Sequence, residues 1–142
     1  MENCKVLVVD DEIDFLETIV KRLQRRKFDV EGVESGPKAL ELLMKEEFDV
    51  VVLDVRMPGM DGIEALREIK RRWPLVEVVI LTGHASVNLG IEGMQLGAFD
   101  YVMKPANLDD LIAKLQQAYE RRLIQQGKIK RAKSEESTER NE

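Results

Sequence analysis

The sequence predicts an α/β domain of three layers, a doubly wound parallel sheet of five strands covered by helices on both faces. Two observations carry that expectation. Five short runs rich in Val, Ile and Leu lack the alternation of a half-solvated sheet, so they read as strands buried on both faces. Segments of helical periodicity separate them, and strands alternating with helices imply right-handed crossovers between parallel neighbours.

The elements follow in order. Residues 6–9 form the first run, and Ile13, Leu16, Ile19, Val20 and Leu23 the first helical stripe. The second run, 28–33, is interrupted by Asp29 and Glu31 and reads as an edge strand. Ser35 with Pro37 opens the second helix, whose apolar positions are Ala39, Leu40 and Leu43. Residues 50–53 are the third run, and Asp61 precedes a third helix carrying Ile63, Leu66 and Ile69. After the fourth run, 76–81, Ser86 starts a helix reaching about Leu96. Its interior glycines, Gly90 and Gly93, each cost about 1 kcal/mol relative to Ala, which predicts the least stable helix of the set. The fifth run is 99–103, and Asn107 opens a last helix marked by Leu108, Leu111, Ile112, Leu115 and Leu123. Residues 1–125 are expected to fold as one domain, while 126–142, with Ile129 its one large apolar residue, is expected to be a disordered, charged tail.

Composition narrows the function. A length of 142 residues suits one ordinary domain, and 44% hydrophobic with 35% charged residues gives it both a core and a soluble surface. A net charge of -5 disfavours attraction to a phosphate backbone, and 5% aromatics leave no base-stacking platform, so no direct nucleic-acid partner is expected. One cysteine, Cys4, and one histidine, His84, can build neither an internal disulfide nor a Cys/His zinc site, which fits a reducing cytoplasm. No apolar stretch approaches the roughly 20 residues of a spanning helix, so no membrane partner is expected either.

In a doubly wound sheet, ligands bind outside the carboxyl ends of the strands. Here the first strand ends in Asp10, Asp11 and Glu12, the third in Asp54, the fourth in Thr82 and Gly83, and the fifth runs to Lys104 and Pro105. If the first and third strands are neighbours, Asp10, Asp11 and Asp54 converge, and a hard divalent cation such as Mg²⁺ offsets their repulsion. A carboxylate beside Mg²⁺, faced by a lysine and a hydroxyl, has the parts for phosphoryl transfer to an aspartate. Asp54 is the expected acceptor, with Lys104 and the Thr82 hydroxyl contacting the phosphoryl group and backbone amides near Gly83 and Arg56 as further donors.

These residues lie in segments 6–12, 53–62, 81–85 and 97–105, reading VLVVDDE, LDVRMPGMDG, LTGHA and GAFDYVMKP. Together they resemble the response-regulator receiver domain of two-component, or phosphorelay, signalling, over about residues 4–125. The resemblance implies the flavodoxin-like, CheY-like strand order 2-1-3-4-5 and a phosphoacceptor switch in place of a conventional enzyme, one that catalyses only its own phosphorylation and dephosphorylation. It implies that a sensor histidine kinase or histidine phosphotransfer protein donates the phosphoryl group to Asp54. It also implies that Asp11, Asp54 and the Arg56 backbone carbonyl hold Mg²⁺, with Asp10 acting mainly through water. Thr82 and Tyr101 would be the switch pair, altering the face of the fourth helix, fifth strand and fifth helix, where a downstream effector or a second copy docks. Arg56 and His84 would tune dephosphorylation, and the Lys104–Pro105 peptide is expected to be cis.

Other readings fit the residues less well. An aspartyl-phosphate hydrolase of the haloacid-dehalogenase type needs a second carboxylate two positions after a nucleophile on the first strand, whereas the candidate here ends the third strand and position 56 is Arg. A flavodoxin-like electron carrier needs a phosphate-cradling loop where this chain has an acidic run. A degenerate receiver acting only as a binding module is disfavoured by the intact set Asp11, Asp54, Thr82 and Lys104. For output, a free-standing receiver and the N-terminal receiver piece of a DNA-binding transcription regulator both stay open. Met57, Met60, Met94 and Met103 are expected to serve packing, Cys4 to be inert, and the 128–133 cations to be solvated.

Overall fold

Each apolar run forms a strand in the computed structural model, which describes residues 3–55, 62–83 and 87–140, with side chains described as far as 129. The order along the chain is β1 (Lys5–Val9), α1 (Ile13–Arg25), β2 (Asp29–Val33), α2 (Gly36–Lys45), β3 (Val50–Asp54), α3 (Gly62–Arg72), β4 (Glu77–Thr82), α4 (Val87–Gln95), β5 (Asp100–Met103) and α5 (Leu108–Arg140). The strands are all parallel and stand in the order β2-β1-β3-β4-β5. The acid-interrupted β2 is therefore an edge, as its charge pattern predicts.

Alternation along the central strands divides the core in two. Val6, Val8, Val50, Val52, Val79 and Leu81 face α1 and α5, meeting Leu16, Ile19, Leu23, Leu111 and Leu115. Leu7, Val9, Val51, Leu53, Val78 and Ile80 face the other way, toward Leu43 of α2 and Ile63, Leu66 and Ile69 of α3. Each such fully buried Leu or Ile contributes about 1.5–3 kcal/mol from removal of its surface from water. The expected three layers thus follow from strands apolar on both faces.

Two helix starts show the capping chemistry their residues suggest. Ser35 accepts a hydrogen bond from the Lys38 amide, with Pro at the start of α2, and Asn107 accepts one from the Asp110 amide of α5. The proposed caps Asp61 and Ser86 lie outside the described residues, as do Met57 and Met60.

Two expectations are changed. The interior Gly93 of α4 is a packing requirement as well as a propensity cost: a Cβ there would fall 2.2 Å from Cδ1 of Ile80, so the glycine lets α4 lie close on β4. In place of a disordered tail from 126, the backbone of α5 continues to Arg140. The segment holds no proline, and its Gln, Lys, Arg, Ala and Glu are good helix formers that carry the helix through Gly127.

Candidate functional site

Register builds the site. Val9 of β1 pairs with Leu53 of β3, so the next residue on each strand, Asp10 and Asp54, stands at the same level. On the other side Asp54 pairs with Leu81 and Thr82 pairs with Met103, while the Lys104 amide donates to the Thr82 carbonyl at 2.8 Å. Asp10 and Asp54 are level at the carboxyl end of the sheet, Thr82 stands one residue beyond that level on β4, and Lys104 two beyond it after β5, so four neighbouring strands end on the same rim. Asp10, Asp54 and Thr82 are buried, at 0%, 5% and 2% exposure. Gly62 closes the rim from beneath α3: a Cβ there would lie 2.3 Å from Cα of Val55 and 2.4 Å from the Asp54 carbonyl oxygen, both backbone atoms.

The electrostatics are lopsided. Asp10, Glu12 and Asp54 each offer a carboxylate oxygen within 4.8 Å of the others. Lys104 Nζ lies 3.0 Å from Asp10 Oδ2, 3.1 Å from Glu12 Oε1 and 3.4 Å from Asp54 Oδ2. The contact to Asp10 Oδ2 is an ion pair without hydrogen-bond alignment, which leaves that buried oxygen's hydrogen-bonding capacity unused. Burial by itself lowers the Lys104 pKa, yet contact with Asp10, the charges of Asp54 and Asp10, and Glu12 outweigh it and lift the ammonium above the ordinary lysine range. Lys104 is therefore charged throughout the physiological range. Its ammonium also sits 4.7 Å from the centre of the Phe15 ring.

Hard carboxylate oxygens converging on a point, one of them buried without an aligned donor, form a group that can hold a divalent metal ion. The remaining residues predicted for the site are placed as follows. Asp11 is exposed and outside that group; Asp10 turns inward, its Oδ1 accepting the Glu12 amide at 2.9 Å. Arg56 and His84 lie outside the described residues. Gly83 follows Thr82 directly, and Thr82 Oγ1 is 3.4 Å from its carbonyl oxygen. Lys104–Pro105 is cis.

Tyr101 is 46% exposed, its ring 5.7 Å from Lys114 Nζ, which is itself paired with Asp100 at 2.8 Å. Between Tyr101 and Thr82 lies a cavity of about 210 Å³ lined also by Gly90, Ile91, Met94 and Met103. Met94 and Met103 thus border this cavity, away from the two main core clusters. Sequence reasoning named Glu12 only as part of an acidic run and did not single out Phe15. Both act through Lys104, a residue far along the chain.

Comparison with known proteins agrees with this geometry. The family model for the response regulator receiver domain matches residues 6–116. The chain is 40% identical over 117 residues to the transcriptional regulatory protein ZraR of Escherichia coli K12, covering 82% of this chain and 26% of that protein. It is 36% identical over 118 residues to the DNA-binding transcriptional regulator NtrC of the same strain, covering 83% and 25%. It thus spans about a quarter of these curated relatives. Among solved structures, a response regulator receiver domain protein from Clostridium thermocellum superposes with a TM-score of 0.82 at 35% identity, covering 85% of this chain and 98% of that one. The NtrX receiver domain of Brucella abortus gives 0.78 at 30% identity, covering 81% and 98%.

Proposed function

This chain belongs to the response regulator receiver domain family, a module of phosphorelay signalling, and from that premise we propose that Asp54 is its phosphoacceptor. The observation that supports the residue assignment is the convergence of Asp10, Asp54, Thr82 and Lys104 at the carboxyl ends of neighbouring strands, with Lys104 Nζ 3.4 Å from Asp54 Oδ2. Asp54 is the carboxylate between the acidic pair of β1 and the lysine after β5, and its oxygen would attack the phosphorus of a donor phosphohistidine. The new P–O bond replaces the P–N bond, and histidine leaves to take up a proton.

Asp10, Asp11, Asp54 and the Arg56 carbonyl are the residues we assign to a bound Mg²⁺. When bound, the ion neutralises charge on the phosphoryl oxygens. Lys104, held charged, would pair with the phosphoryl group, and the Thr82 hydroxyl and the Gly83 amide would donate to it. Thr82 would then move toward Asp54, and Tyr101 would turn in toward the cavity behind it, changing the face of α4, β5 and α5. We place the reaction in the cytoplasm, with a histidine kinase or phosphotransfer protein as donor and an effector protein, or a second copy, on that face. Among the described residues, no helix is long and apolar enough to cross a membrane. We take 1–125 as the receiver unit.

A second reading concerns output. Relatives of which the chain spans about a quarter favour its being the receiver portion of a longer DNA-binding regulator. Acetyl phosphate with Mg²⁺ is expected to add one phosphoryl group by intact mass, and beryllofluoride to shift amide signals between residues 82 and 104. Asp54→Asn is expected to abolish both. Equal labelling of that variant would refute the assignment.

A further inference from the structure

The first turn of α1 holds the ammonium of Lys104 in a way the phosphoacceptor chemistry leaves unexplained. Glu12 is the N-cap residue of α1, and its own amide is tied to Asp10 Oδ1 at 2.9 Å, so its backbone is anchored at the rim of the site. Its carboxylate extends over the site and accepts from Lys104 Nζ at 3.1 Å. Three positions on, on the same side of the helix, Phe15 presents its ring to that nitrogen at 4.7 Å. An anion and an aromatic face, spaced one helical turn apart, thus bracket one ammonium. Lys104 Nζ also donates to Asp54 Oδ2, at 3.4 Å the longest of its three carboxylate contacts.

We propose that Glu12, seconded by Phe15, is a positioning residue that shares the Lys104 ammonium with Asp54, drawing it toward α1 and keeping its bond to the Asp54 carboxylate long until a phosphoryl group is there to claim it. The inference rests on the reading of Asp54 as phosphoacceptor. An ammonium settled fully on the attacking oxygen would stabilise the unreacted carboxylate and have to be displaced before bond formation; one shared with Glu12 on a longer bond is ready for the product and quenches the nucleophile less. Lysine suits this task because its flexible stem carries three donors around a compact charge, which can pivot between acceptors.

Two measurements on the full chain test this. In metal-free buffer the Lys104 ε-methylene protons of the wild type are expected upfield of ordinary lysine values, from the Phe15 ring current. Glu12→Gln is expected to return them toward ordinary values as the ammonium shifts to Asp54. With saturating Mg²⁺, the same variant is expected to show a maximal rate of acetyl phosphate labelling lower by about two- to fivefold, the scale of one partly exposed ion pair. Glu17→Gln, the same loss of charge further along α1, is expected to leave both readouts at wild-type values. An unchanged ring-current shift in Glu12→Gln, or a maximal rate equal to or above the wild type, overturns the positioning role. Failure of the wild type to label at Asp54 would instead remove the phosphoacceptor reading, and the ring-current comparison would still decide where Lys104 rests.

Discussion

Where the strands begin, Asp49 accepts from the Lys5 amide at 2.8 Å and from Arg122 Nε at 2.9 Å, Arg122 also reaches Glu47 at 3.0 Å, and Arg121 faces Glu77 at 3.5 Å. Where they finish, Asp10, Glu12 and Asp54 converge on the ammonium of Lys104. Among the described residues, the same sheet thus has one end whose acids meet bases nearly one for one and another with a surplus of negative charge. Balance at the first end fastens α5 to the sheet; imbalance at the second leaves a group of carboxylates that could hold a cation. The difference separates a paired cluster from an unbalanced one, though both contain buried carboxylates.

The largest effect expected from breaking the contrast is at the balanced end. Asp49→Ala takes from Arg122, whose side chain is 4% exposed, its more buried carboxylate and leaves it the exposed Glu47, and is expected to cost about 2–3 kcal/mol in urea unfolding. A loss under 1 kcal/mol would mean that the cluster does not fasten α5. At the other end the sign reverses. Asp54→Asn removes one of three crowded carboxylates while Lys104 keeps Asp10 and Glu12, so in metal-free buffer it is expected to stabilise the fold by about 0.5–2 kcal/mol. Mg²⁺ at ten times its Kd is expected to raise the wild-type Tm by about 2–5 °C, and to raise that of Asp54→Asn by less. A destabilised Asp54→Asn would show that the two ends are alike.

The smallest change is expected at Cys4, fully buried at the balanced end. Burial, helped by the charge of Asp49, pushes its thiol from an ordinary 9.0 up to about 12. The folded state favours the protonated thiol, so this contribution to stability is intact below pH 9 and is lost as pH rises from there toward 12. Native protein is accordingly expected to resist iodoacetamide at pH 8, while urea-unfolded protein reacts. Rapid native alkylation would show that this end opens.

What the sequence makes legible follows from how far apart the interacting residues lie. Strands buried on both faces are continuous apolar runs, and each run stops at a polar residue, so the placement of Asp10, Asp54, Thr82 and Lys104 at strand ends can be read locally. The caps Ser35 and Asn107 act within three residues and are equally visible. Glu12 and Lys104 are 92 positions apart, and Arg122 and Asp49 are 73 apart, so no spacing rule connects either pair. Glycine shows the limit most directly. Propensity sees a weak point at Gly93, whereas the cause of a glycine there is a methyl group of Ile80 on the underlying strand β4. The length of α5 escaped for the opposite reason: polarity was read as disorder, although a chain of good helix formers needs a stop signal to end a helix.

The strand order has a consequence for the life of the protein in the cell. Because β1 sits between β2 and β3, Asp10 and Asp54, 44 positions apart, become neighbours only after the chain between them has folded into place, and Lys104 joins them from 50 positions further on. A nascent chain has both aspartates synthesised before the lysine exists, and a damaged chain scatters all three. On the reading of Asp54 as phosphoacceptor, competence to receive a phosphoryl group therefore requires the chain to be folded through β5, so an unfinished copy lacks the assembled site.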